Sequence, residues 1–184
     1  MSERTLDLTL LFEATIMTDT NETNDAQFHG FFETSTDGGL TWDIEPNLIV
    51  TEGLNYLLAA ALDAAAQKTT LYLALFSGNV TPQAAWTGVT WVAAATEFTN
   101  YVEATRQIWQ RGDAVAGSIS NTAIPAVFTA GTGGGTVRGV ALVGASAKSA
   151  NTDILISAIR FANDKVLDAT EELRVKYTIN ATST

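Results

Sequence analysis

The chain has no cysteine, which excludes a disulfide framework, a thiolate metal site and a cysteine nucleophile. Histidine occurs once, at His29, within an aromatic stretch that includes Phe28, Phe31 and Phe32. A lone imidazole builds no three-histidine metal site and has no thiol to activate. Charge is sparse at 16% of residues, against 46% apolar, so the chain has the composition of a folded domain rather than a disordered one. No apolar run approaches the ~20 residues that span a bilayer. The opening Met1-Ser2-Glu3-Arg4, followed by alternating apolar and polar residues, is unlike a signal peptide. The expectation is a soluble chain made in the cytoplasm, with no membrane partner.

Basic residues are almost missing from the first third. Of 20 acids and 10 bases, residues 1–55 hold eleven acids (Glu3, Asp7, Glu13, Asp19, Glu22, Asp25, Glu33, Asp37, Asp43, Glu45, Glu52) and only Arg4 as a base. The remaining nine acids are matched by nine bases, so the net charge of −10 belongs entirely to the first third. That surface repels phosphate backbones and argues against a nucleic-acid partner. It serves solubility, or docking on a basic partner surface.

At 184 residues, with four Trp, eight Phe and four Tyr, there is material for one ordinary core. Leu6, Leu8, Leu10, Phe12, Ala14 and Ile16 alternate with polar residues. A two-residue period predicts a half-buried strand, or two strands joined by a bend. Residues 19–25 are polar and turn-forming. A hairpin follows, 27–34 with 40–44, around Ser35-Thr36-Asp37-Gly38-Gly39. Residues 51–66 read as one helix, with Thr51 as N-cap, Glu52 in the first turn, and an apolar stripe of Leu54, Leu57, Leu58, Ala61, Leu62 and Ala65. Leu71 to Phe76 is apolar on both faces, as in a central strand covered on each side. Residues 80–104 have no clean period and read mostly as loop. Short strands are expected near 106–111, 117–121, 124–129, 136–145, 153–162 and 172–180. The fold class is mainly β: a β-sandwich or jelly-roll-like domain with one α-helix, in which 26–184 form a single β-rich domain and 1–25 an N-terminal strand or arm.

Each motif with a chemical reading also has a plainer one. Ser35-Thr36-Asp37-Gly38-Gly39-Leu40-Thr41-Trp42 fits the Asp-box pattern of sialidases and other propellers, where the box is a structural hairpin; one box in a chain this short cannot make a propeller. Arg111-Gly112-Asp113 matches an adhesion tripeptide but is ordinary turn chemistry. Gly131-Thr132-Gly133-Gly134-Gly135 lacks the Gly-Lys-Ser/Thr of a phosphate loop, and reads as a flexible hairpin tip. The acids Glu97 and Glu103, or Glu171 and Glu172, have no spacing that fixes a glycosidase separation. The sequence therefore indicates no catalytic, cofactor-binding or metal-ligating residues, no cofactor, and a protein that is not an enzyme.

Several segments together resemble a family of small tailed-phage virion structural proteins: Asp37 to Trp42, Asn47 to Leu58, Leu71 to Asn79, Tyr101 to Arg106, Ala145 to Ser149 and Glu172 to Thr178. The resemblance covers about residues 28–184 and leaves the first 25 or so as an added segment. It implies a virion component, most simply an oligomeric capsid decoration (cement) protein whose partners are itself, as a trimer at local three-fold positions, and the major capsid protein or other virion proteins. A tail, neck or fibre component is the alternative within the particle. A carbohydrate-binding β-module, resting on surface tryptophans and the hairpin, is the rival from another class. The N-terminal strand must pair with a sheet, its own or a neighbour's.

Overall fold

The computed structural model describes residues 26–63 and 65–183. Eleven strands and two helices follow one another in the chain: β1 (Ala26–Ser35), β2 (Asp43–Pro46), β3 (Leu48–Ile49), α1 (Thr51–Leu62), β4 (Tyr72–Phe76), α2 (Trp91–Ala95), β5 (Glu97–Phe98), β6 (Gln107–Ile108), β7 (Ser118–Ser120), β8 (Ala126–Thr129), β9 (Gly135–Val143), β10 (Leu155–Leu167) and β11 (Glu172–Ser183). The strand segments expected from residue 106 onward all carry strands, the long pair β10 and β11 extending past their expected ends. The expected strand and arm at 1–25 lies outside the described residues.

Two antiparallel sheets result. One has the order β2-β1-β11-β7, with β8 also on β11; the other runs β3-β10-β9-β4-β5, with β6 also on β4. Alternation along β11 turns Leu173, Val175, Tyr177 and Ile179 into the space between the sheets, where they meet Leu73, Leu75, Val140, Leu142 and Ile156 of the second sheet. Phe32 stacks on Tyr177 with ring centroids 4.1 Å apart. The mainly β, sandwich-like class read from the sequence is the one observed.

The second sheet is covered on its other face as well. Ala74, Phe76, Ala141, Val143, Leu155 and Ala158 pack under Trp86, Trp91 and Ala95. β4 is thus apolar on both faces because both are covered, as its sequence requires. The cover comes from residues 80–104, which the absence of periodicity left as loop: single anchors spaced along an irregular segment leave no period to detect.

Helix α1 departs from expectation in three respects. Val50, not Thr51, is the N-cap, and no side chain caps the helix. The helix stops at Leu62 rather than near 66; beyond Asp63 the chain returns along it, and Lys68 N donates to the Tyr56 hydroxyl at 2.6 Å. Its inner face is formed by Gly53, Leu54, Tyr56 and Leu57, while Leu58 and Leu62 are 49% and 82% exposed. The cause is Gly53: a Cβ there would lie 2.1 Å from the Ile156 carbonyl oxygen, so the helix is rolled with its glycine against the β10 main chain.

The glycine loop 131–135 is not a hairpin tip. β8 and β9 belong to different sheets, so the loop crosses between them. Asn100 Nδ2 donates to Thr132 O and Gly134 O at 3.2 and 2.7 Å, and a Cβ on Gly134 would come within 2.1 Å of Leu167 O. Glycine is needed here for close approach and for the positive φ of Gly133 and Gly134.

Candidate functional site

The Asp-box hairpin joins β1 to β2, with Phe32 opposite Glu45 and Thr34 opposite Asp43. Asp37 accepts from Leu40 N, from Thr41 N and from the Thr41 hydroxyl, and Ser35 Oγ donates to it at 2.7 Å. The Thr41 hydroxyl above all holds the Asp37 carboxyl well below the usual carboxylate range. Trp42 Nε1 donates to Gly39 O at 3.0 Å, and Lys176 Nζ sits 3.5 Å from the Trp42 ring centroid. The box closes a turn and presents no free group. Trp86, Trp91 and Trp109 are buried, so no tryptophan offers the open ring face on which a sugar would stack.

The strongest convergence of charge lies at the far end of the second sheet. Arg106 Nε and Nη2 donate to Glu97 at 2.8 and 2.7 Å, and the two side chains are 0% and 1% exposed. The remaining donors reach Ala145 O and Ala150 O at 3.0 and 2.9 Å, and Ser149 N donates to Glu97 at 2.7 Å. Trp91 covers the guanidinium at 5.2 Å. Beside this pair Lys148 Nζ lies 3.6 Å from the Tyr101 ring centroid and donates to Tyr101 O at 2.6 Å. Burial lowers the Lys148 ammonium from its ordinary value and, with Glu97 beside it, raises the Tyr101 phenol. Arg106 and Lys148 are the residues that sequence reasoning did not single out. Their only signal was membership of two of the resembling segments, Tyr101–Arg106 and Ala145–Ser149, which the Arg106 contacts join.

The acids weighed as carboxylate pairs are engaged separately. Glu97 holds Arg106; Glu103 accepts from Thr129 N at 3.1 Å; Glu171 accepts from Asp168 N at 2.8 Å; Glu172 pairs with Arg174 at 3.0 Å. His29 is exposed on β1 opposite Asn180. In the Arg111-Gly112-Asp113 stretch, Arg111 Nη1 donates to Thr69 O and Gly112 N to Ser120 O, so the tripeptide is part of a tied loop. Among the described residues no group of three or more acids or histidines is placed to hold a metal, and no helix is long and apolar enough to cross a membrane.

One further feature is a groove of about 350 Å³ at the end of the sandwich where β11 finishes, floored by Leu57, Trp109, Ile156 and Ile179 and flanked by Phe28 and Tyr56. Large apolar side chains also remain on the surface elsewhere, among them Leu40, Ile44, Val115 and Val166. The chain matches no protein-family model and none of the curated proteins compared with it.

Proposed function

We propose that the protein is a non-enzymatic structural component of a tailed-phage particle, and within that class an oligomeric capsid decoration protein that stabilises the head. The observation that carries this reading is the use made of its converging polar groups. Arg106, Glu97, Lys148 and Glu103 spend their hydrogen bonds tying loops to one another, which suits a rigid subunit better than a reactive cleft. Apolar side chains and short edge strands are left at the surface, where subunit contacts form. The resemblance of residues 28–184 to small virion proteins points the same way.

The test is binding to particles. Added to phage heads assembled without it, the purified protein should sediment with them saturably and raise the temperature at which they release DNA. Sedimentation with isolated tails instead would transfer the assignment to a tail, neck or fibre component. Binding to neither would end the virion reading.

A further inference from the structure

We infer that the groove beside Phe28 is the seat of the chain's own N-terminal segment, with Leu6–Ile16 lying as a strand along the free edge of β1. The inference is independent of any role in a particle. It begins with the edge. β2 covers β1 only over Phe31–Thr34, and Gly30 O accepts from Asn47 N at 3.1 Å. Main-chain groups alternate between the two edges of a strand, so Phe28 turns its N–H and C=O to this same edge, beyond the end of β2. Among the described residues no strand pairs there.

The second element is the face. Phe28 shares the inner face of β1 with Phe32, which is buried in the core, yet Phe28 is 40% exposed because the sandwich is open at this end. Across the opening stand Tyr56 and Leu57 of α1. A strand added beside Phe28 would turn every second side chain into that opening. The segment Leu6, Leu8, Leu10, Phe12, Ala14, Ile16 has the required period, and the intervening Asp7, Thr9, Glu13 and Thr15 would face solvent.

Charge and connection agree. Lys68 and Arg111 stand at the rim, and among the described residues Arg111 has no carboxylate partner. Residues 1–25 contain six acids (Glu3, Asp7, Glu13, Asp19, Glu22, Asp25) and one base, Arg4. Ala26 begins β1 two residues from the groove, and the eleven residues between Ile16 and Phe28 can span at most about 40 Å, with a turn-forming stretch at 19–25 to reverse direction. A tether that short holds the segment at an effective concentration in the millimolar range, which favours the same chain over a neighbour.

Because the sequence has no cysteine, a single introduced thiol can report on the groove in the full-length chain. Ala61→Cys or Gln67→Cys, both exposed at the groove, would carry a benzophenone label; two positions guard against a label that itself blocks the seat. Irradiation should join the label to a peptide from residues 5–18 within a product of single-chain mass. The same label on Thr132→Cys, at the opposite end of the sandwich, should not. Leu8→Glu/Leu10→Glu should lower the yield by about tenfold or more, since it places charge in an apolar seat, while Thr9→Glu should leave it unchanged. Cross-linking confined to a two-chain product would show that a neighbour's segment occupies the groove and would overturn the inference, as would the absence of any peptide from 5–18 at both positions.

Discussion

Burying Arg106 and Glu97 together costs desolvation that their mutual attraction offsets only because every remaining donor finds a carbonyl. Removing one partner strands the other. Arg106→Ala should cost about 3–5 kcal/mol in urea unfolding, and Arg106→Met/Glu97→Leu markedly less than that. A single variant that unfolds at the wild-type urea concentration would mean that the pair does not brace these loops. Asp37 offers a pH test of a different kind. Its folded-state pKa is depressed by Thr41 and Ser35, so its contribution is present at neutral pH. It fades as pH falls below about 4, where the unfolded chain takes up the proton first. Asp37→Asn should therefore melt below wild type at pH 7, and the two melting temperatures should converge towards pH 2. A gap that stays constant across that range would assign the effect to something other than the carboxylate.

At the scale of elements, α1 is the decisive case. Leu54, Leu57, Leu58, Ala59, Ala60, Ala61 and Leu62 make it apolar almost all round, so more than one roll satisfies a 3.6-residue period. The close approach of Gly53 to Ile156 selects the roll that buries Leu57 and leaves Leu58 outside. Leu57→Asp should cost about 2–4 kcal/mol by thermal or urea unfolding, from a half-buried site packed on the core. Leu58→Asp should change stability by less than about 1 kcal/mol. The reverse order would place the stripe on Leu58, Ala61 and Leu62 and refute the roll described above.

For the whole molecule, the two sheets end in short edge strands, β2 and β7 on one and β3 and β5 on the other, with apolar side chains such as Ile44 close by. Exposed edges and apolar groups favour self-association, and closed symmetry is its usual form. Light scattering should give a mass above that of one chain, with three copies as the expectation, and the melting temperature should rise with protein concentration. A single-chain mass with a concentration-independent melting point would count against a stable oligomer in solution.

Local chemistry was legible where one residue type has one use. The Asp-box hairpin followed from Asp37, Gly38 and Gly39, whose turn geometry needs no distant partner. β4 was readable as a two-sided strand because five consecutive buried or half-buried residues leave no polar face. The partners were not legible. Nothing in the composition of residues 80–104 announces that Trp86 and Trp91 roof the second sheet, because each contact joins residues far apart in the chain and no period links them. Arg106 resembled any surface arginine until the fold brought Glu97, Ala145 and Ala150 around it. The sequence by itself determined the class of elements, the first hairpin and the asymmetry of charge. Only the tertiary structure decided the roll of α1, the crossing of the glycine loop between sheets and the engagement of each acid, because these depend on which surfaces meet rather than on what any segment prefers.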